Sequence, residues 1–198
     1  GERVRAKRLA QAQGLAARIQ TLQTENPGVN LVVIGDFNGF EFSDGFVDVL
    51  GQIQGVIDPT ANLLSGDDLV DPDLVNLTGL VEPSERYSFI FRGSAQALDH
   101  ALISEALSDD LRGFMFGRGN ADAPLLSIEQ AGNALRASDH DGLVAYFTTD
   151  LDGDGVPNNV DLCPNTVVPE TTTSGRLRGR RMALFDDDFI FDTGISIR

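Results

Sequence analysis

The sequence is poor in the residues that build cross-linked or membrane-spanning proteins. Its 198 residues include a single cysteine, which excludes a disulfide within the chain. No apolar run approaches the roughly 20 residues that a membrane-spanning helix needs. The sequence therefore fits neither a disulfide scaffold nor a chain with a membrane-spanning helix.

Positive charge is also scarce. The chain has 15 Lys and Arg against 30 Asp and Glu, which gives a formal net charge of −15. Because phosphate affinity usually comes from a basic surface, such a chain is a poor default binder of nucleic acid or anionic lipid. If it acts on phosphates, a metal ion must help. The apolar share of 41% is enough for a sizeable core, and the length fits one domain with an appendage or two small domains.

The apolar pattern predicts a layered α/β fold. Residues 4–22 repeat apolar side chains at spacings of three and four, which indicates an amphipathic helix that ends at Asn26-Pro27-Gly28. Residues 31–34 are continuously apolar and mostly β-branched, as in a strand buried on both faces. A helix followed by a buried strand is typical of α/β architecture. Three further strands are predicted at 87–91, 98–103 and 143–147, and short helices at 44–50 and near 105–111. The tail contains strand-like pieces at 182–185 and 188–191.

Two polar residues follow the first predicted strand directly. Asp36 and Asn38 lie at its carboxyl end, where open α/β sheets place ligand-handling groups. The carboxylate can orient a water molecule while the amide donates to a phosphate oxygen. The alternative interpretation is a polar strand-to-loop turn, which Asp, Asn and Gly favour.

One of the two histidines lies beside a carboxylate. Ser138-Asp139-His140 precedes the strand predicted at 143–147. Histidine is the usual general acid or base near neutral pH, and a carboxylate partner fixes its tautomer. The alternative is a capped turn with an exposed histidine.

Asp99 lies inside the apolar strand predicted at 98–103. Burying an unpaired carboxylate is costly, so this side chain needs a buried donor or a metal ion, and His140 is a candidate partner. The second histidine, His100, points to the opposite face of the same strand by the two-residue period. We interpret His100 as structural.

These sites together resemble a known family. Its motifs are matched, in order and roughly in spacing, by Gly35-Asp36-Phe37-Asn38, by Leu98-Asp99-His100-Ala101-Leu102-Ile103-Ser104 and by Ser138-Asp139-His140-Asp141. They resemble the second half of the endonuclease/exonuclease/phosphatase family, which includes deoxyribonuclease I and abasic-site endonucleases. Residues 75–77, 85–89 and 93–96 are most similar to its secreted bacterial nucleases. One departure is Gly142, which stands where many members carry proline.

The resemblance implies a fold and a set of roles. The fold is a four-layer α/β sandwich with two facing β-sheets flanked by helices, of which residues 1–148 supply about half. His140 would be the general base or a phosphate-contacting group, and Asp99 would orient it. Asp36 would hold the attacking water, Asn38 would contact the phosphate, and Asp139 would contribute to a catalytic Mg²⁺ or Mn²⁺ site.

The resemblance also implies a missing part. In the family, the amino-terminal half supplies a metal-binding Glu, an Asn and a further His or Tyr. We therefore expect the chain, which begins at Gly1, to be a piece of a longer protein and to be nearly inactive when expressed alone. The predicted activity is divalent-metal-dependent phosphodiester hydrolysis by a secreted nuclease acting on DNA or RNA. The alternatives are a phosphatase or phosphodiesterase of the same family, and a non-catalytic calcium-binding surface or adhesion module.

An acidic segment follows the family-like region. Its carboxylates occupy loop positions 1, 3, 5 and 12, with glycine at position 6, the spacing of a calcium loop: Asp150, Asp152, Asp154, Gly155 and Asp161. The alternative is a flexible acidic linker. Residues 149–166 resemble a thrombospondin type 3 repeat, which implies structural Ca²⁺ outside the cell. Cys163 normally has a partner in such repeats, so it is either free or paired with a segment outside this chain. Residues 167–198 form a β-like tail, which could begin a further β domain.

Calcium binding by this segment can be measured directly. We expect an affinity in the micromolar to millimolar range of sensor and extracellular sites, because four carboxylates stand at loop spacing. Isothermal titration calorimetry at millimolar Ca²⁺ should give a binding heat that the Asp152→Ala, Asp154→Ala double variant lacks. Equal heats from both proteins would leave the segment as a linker.

Overall fold

The chain forms a mixed α/β structure with several small antiparallel sheets. A computed structural model describes residues 1–129, 132–151, 156–158, 160–162, 182–183, 190–191 and 195–196. Within these ranges, the α-helices are α1 (Glu2–Glu25) and α2 (Val49–Gln54). The strands are β1 (Asn30–Asp36), β2 (Val75–Asn76), β3 (Phe89–Phe91), β4 (Ser94–Gln96), β5 (Asp99–Ile103), β6 (Leu111–Gly117), β7 (Gly142–Phe147), β8 (Met182–Ala183), β9 (Ile190–Phe191) and β10 (Ile195–Ser196).

The central sheet is built around one antiparallel pair. Its strand order is β2-β5-β1-β8, and β1 runs antiparallel to β5 from the pair Val32 and Ile103 to the pair Asp36 and Asp99. Strands β3 and β4 form a separate hairpin, as do β9 and β10, and β6 pairs with β7. The carboxyl end of β1 therefore lies beside the amino end of β5.

The helices cover one face of the central sheet. Helix α1 buries residues at spacings of three and four, namely Ala12, Leu15, Ala16 and Ile19, each with no exposed surface. They share a core with Leu31 and Val33 of β1, Leu102 of β5 and residues of α2. The amphipathic pattern at 4–22 thus corresponds to a real packing face.

The opposite face is covered by the β6-β7 pair. Alternation along the strands turns Val32 and Ile34 of β1, with Ala101 and Ile103 of β5, to this side. They pack against Leu111, Phe114, Leu143, Ala145 and Phe147. A helix layer, the central sheet and a second sheet therefore lie in sequence, and β1 is covered on both faces as predicted.

Most predicted elements are confirmed, and one is misplaced. The helix at 4–22 and the strands at 31–34, 87–91, 98–103 and 143–147 all exist with small shifts in their bounds. The short helix at 105–111 is a 3₁₀-helix, Glu105–Asp110.

The helix predicted at 44–50 is wrong in position. The carboxylate of Asp44 accepts the backbone N–H groups of Phe46 and Val47, which holds a turn there. Asp48 then accepts the N–H of Gly51 and caps α2, which begins at Val49. Short acidic side chains favour turns and N-caps over helix interiors, which moved the start of this helix.

The beginning of the acidic segment is tied to the α/β unit. Asn158 donates from Nδ2 to the Thr148 carbonyl and to Oδ1 of the buried Asp110, and its own Oδ1 accepts the N–H of Leu151.

Within the described ranges, no helix combines the length and apolar composition needed to cross a membrane.

The packing of α1 generates a stability prediction. We expect Leu15→Ala to lower the free energy of unfolding by about 2–5 kcal/mol, because it leaves a cavity between α1 and the sheet. The matched control is Leu80→Ala at a side chain that is 61% exposed, where the change should stay within about 0.5 kcal/mol. Chemical denaturation measures both. Equal losses would show that α1 does not pack on the sheet as described.

Candidate active site

Two carboxylates face each other across the central strand pair. Asp36 ends β1 and Asp99 begins β5, and the register makes them direct cross-strand partners. Asp99 is only 8% exposed. One ligand atom from each of Asp36, Asp99 and His140 lies within 4.8 Å of the other two. The structure thus brings together three of the side chains that the sequence singled out.

The predicted contact between Asp99 and His140 is confirmed. His140 Nδ1 lies 2.6 Å from Asp99 Oδ2. Because an ionised carboxylate only accepts hydrogen bonds, the proton resides on Nδ1, which leaves Nε2 as the nitrogen that can exchange a proton with a ligand. The ring of Phe89 stacks on the imidazole, with centroids 4.6 Å apart and planes inclined by 23°. The imidazole is therefore fixed in both tautomer and orientation.

The charges of the group shift two pKa values. Burial disfavours the charged imidazolium, but the hydrogen bond and negative charge of Asp99, together with the charge of Asp36, raise the pKa of His140 above its ordinary 6.5. Burial and repulsion by Asp99 raise the pKa of Asp36, although the N–H of Asn38 donates to its carboxylate. Negative charge is thus in excess at the site, and its three side chains could together hold a metal ion.

Asn38 and Asp139 lie at the rim. Asn38 is exposed and adopts the left-handed conformation, with φ of 48°, and its N–H donates to Asp36 Oδ1 at 2.7 Å. The guanidinium of Arg8 in α1 donates to the Asn38 carbonyl at 2.6 Å and anchors this turn to the helix layer. Asp139 is exposed, and its charge acts on both Asp36 and His140. It stands outside the three-residue group.

His100 points away from this group, in agreement with the strand period. It has no exposed surface, and its Nε2 lies 2.9 Å from the Gly39 carbonyl, so Nε2 carries the proton. Nδ1 then accepts a hydrogen bond from Thr78 Oγ1 at 3.0 Å. Burial lowers the pKa of His100, because it disfavours the charged imidazolium. Both ring nitrogens are engaged, and the imidazole anchors the loop after β1.

Three residues of the site were not identified from the sequence. Ser88 is fully buried, and its Oγ accepts the backbone N–H groups of Leu98 and Asp99 at 3.2 and 3.1 Å. Asp141, next to His140, pairs with Arg118 at 2.8 Å. Ser88 and Asp141 stand within motif segments quoted above, whereas no local pattern marks Arg118.

The predicted calcium ligands are only partly described. Asp150 and Asp161 are half-buried. Asp152, Asp154 and Cys163 lie outside the described residues. The calcium loop therefore stays a prediction from spacing.

Comparisons with known proteins add no relative. The sequence matches no protein-family model, no curated protein and no solved structure.

The two histidines give a direct test of the site. In metal-free buffer, the His140 imidazole should titrate with a midpoint above 6.5, because Asp99 and Asp36 stabilise its charged form. The His100 imidazole should titrate below 6.5 or not at all, because its charged form would be buried. Heteronuclear NMR resolves the two rings, and single substitution of His140 assigns them. Coincident titrations near 6.5 would contradict the described environments.

Proposed function

We propose that the chain belongs to a metal-dependent phosphodiester hydrolase, most simply an extracellular nuclease acting on DNA. The observation that carries the proposal is the Asp36-Asp99-His140 group, in which the three family-like motifs converge. An aspartate-oriented histidine beside a second carboxylate is suited to the hydrolysis of an ester whose transition state gains negative charge. RNA as substrate, or a phosphatase activity, uses the same groups.

The proton chemistry follows from the side chains present. Asp99 holds the proton of His140 on Nδ1, so Nε2 faces the ligand. A raised pKa increases the share of the protonated form of His140, in which Nε2–H donates to a phosphate oxygen. Asp36 then accepts a hydrogen bond from the attacking water, and its raised pKa makes it a better proton acceptor than an ordinary aspartate. The exposed Asn38 would contact a further phosphate oxygen through its side-chain amide.

The donor set fits a hard divalent cation. Asp36 would hold Mg²⁺ or Mn²⁺ through the oxygen that does not accept the Asn38 N–H, and the exposed Asp139 would contribute a second carboxylate. A cation bound there would neutralise charge that builds on the phosphate. With a net charge of −15, the chain depends on such a cation more than a basic nuclease does.

The larger architecture belongs to the same proposal. The helix layer, central sheet and second sheet agree with half of a four-layer sandwich, whose other half would add the remaining metal ligands. The acidic segment would bind structural Ca²⁺, and both features suit a secreted enzyme. The noncatalytic alternative, a calcium-binding surface module, predicts calcium binding without hydrolysis.

Cleavage of plasmid DNA tests the proposal. The protein is expressed from the complete reading frame that encodes the chain, and nicking is followed with Mg²⁺ or Mn²⁺ and with EDTA. We expect His140→Ala to lower the divalent-dependent rate by roughly 10²–10⁴-fold, because it removes both a proton-transfer group and a phosphate donor.

Matched variants separate the site from general effects of charge. Asp36→Asn should also lose most activity, whereas Asp109→Asn, an exposed aspartate beyond the far end of β5, should keep it. Unchanged cleavage by a folded His140→Ala protein would overturn the assignment. Hydrolysis of phosphomonoesters without nicking would favour the phosphatase, and calcium binding with no hydrolysis would favour the surface module.

A further inference from the structure

Asp141, which follows His140, is a fully buried carboxylate with a complete set of donors. Its Oδ2 accepts from Arg118 Nη1 at 2.8 Å, and its Oδ1 accepts the backbone N–H groups of Asn120 and Ala121, each at 3.0 Å. Its own N–H donates to the Ser88 carbonyl at 2.7 Å. The residue beside the candidate catalytic histidine is therefore fixed through both its side chain and its backbone.

Arg118 connects this carboxylate to a second segment of the chain. Besides Asp141, its Nη1 donates to the Tyr87 carbonyl at 2.7 Å, and its Nη2 donates to the Glu85 carbonyl at 2.6 Å and to Glu85 Oε2 at 3.2 Å. The guanidinium carbon lies 3.6 Å from the centroid of the Tyr87 ring. A planar fork with several donors suits this role, which a lysine could fill only in part.

The two segments meet at the Asp99-His140 pair. Ser88, next to Tyr87, accepts the N–H of Asp99 through Oγ and the N–H of Asp141 through its carbonyl. The side-chain Nδ2 of Asn120 donates to the His140 carbonyl at 2.9 Å. One network thus holds the backbone on each side of the imidazole and the backbone of the aspartate that it contacts.

We infer that the Arg118-Asp141 ion pair is a positioning element that holds His140 in contact with Asp99. Arg118 and Asp141 touch no reacting atom in this arrangement and act through His140. The inference concerns the proposed active site, so its effect on activity rests on the proposed function. The geometry of the Asp99-His140 contact can be tested without it.

A general stabilising role explains the arrangement less well. A buried ion pair adds little net stability over apolar residues of similar volume, because the desolvation of both charges offsets their attraction. Here the Asp141 side chain is fully buried while the Arg118 side chain is 26% exposed, and every donor to the carboxylate comes from the segment 118–121. The ion pair therefore contributes a defined orientation of the turn that carries His140, more than it contributes stability.

The first readout is the ring proton of His140. In the wild-type chain its Nδ1–H, held at 2.6 Å from Asp99, should give a low-field signal protected from solvent exchange. His100 Nε2–H, bonded to the Gly39 carbonyl in the core, is an internal reference in the same spectrum. Arg118→Met and Asp141→Asn should broaden or remove the His140 signal and leave the His100 signal in place, and Arg118→Lys should retain it in part.

The matched control is Arg86→Met. Arg86 also donates from its guanidinium to loop carbonyls, those of Val81 and Gly79, but it makes none of the hydrogen bonds of the His140 turn. This variant removes an arginine of similar kind and should keep both ring signals.

The second readout is catalysis by the protein from the complete reading frame. We expect Arg118→Met to lower kcat by roughly 10²-fold with KM nearly unchanged, because a misplaced catalytic group affects the transition state more than binding. Arg118→Lys should recover part of the loss, and Arg86→Met should behave as wild type.

The outcomes separate this inference from the proposed function. Loss of the His140 signal without any activity in the wild-type protein would support the positioning role and contradict the nuclease. A normal His140 signal in both Arg118→Met and Asp141→Asn would overturn the positioning role even if the nuclease is active. Loss of both ring signals in every variant, Arg118→Lys included, would overturn it as well, because the pair would then support the fold as a whole.

Discussion

The candidate site depends on two aspartates that lie directly opposite each other in a buried antiparallel pair. Like charges at directly opposed strand positions repel, and little water reaches Asp99 to screen them. The fold tolerates this arrangement because His140 donates a hydrogen bond from Nδ1 to Asp99 at 2.6 Å and, when protonated, places positive charge beside Asp36. The positive charge of the imidazolium thus offsets the repulsion between the two carboxylates.

This role of the imidazolium explains why the two histidines differ. His100 and Asp99 are consecutive in β5, yet the strand period sends them to opposite faces, where burial lowers the pKa of His100 and its ring anchors a loop. His140 comes from a turn more than 40 residues away and supplies the charge that β5 itself cannot. Proximity in sequence is therefore a poor guide to which histidine contacts an aspartate. Alternation along the strand is a better guide, because neighbouring side chains point to opposite faces.

Much of this could be predicted from the sequence, for identifiable reasons. The helical spacing at 4–22 and the apolar run at 31–34 are local signals, and each corresponds to a packed face of α1 or β1. Asp99 is a charged residue in an apolar strand and therefore needs a partner. This requirement led to the prediction that His140 contacts it. The start of α2 was misplaced because Asp44 and Asp48 bind backbone N–H groups in a turn, and a pattern of apolar residues does not record such bonds.

The part that could not be predicted is the hydrogen-bond network that positions the candidate catalytic residues. Arg118 acts through hydrogen bonds to residues 23 and 33 positions away, and nothing in its neighbourhood marks it among the other arginines. Ser88 holds Asp99 through its hydroxyl and Asp141 through its carbonyl, two contacts that exist only once the β3-β4 hairpin is placed. The three motifs name the groups that could react, but their geometry depends on this buried network between segments. A chain that kept the motifs and lost Ser88 or Arg118 would retain the residues of the site without the contact between Asp99 and His140 that makes them a unit.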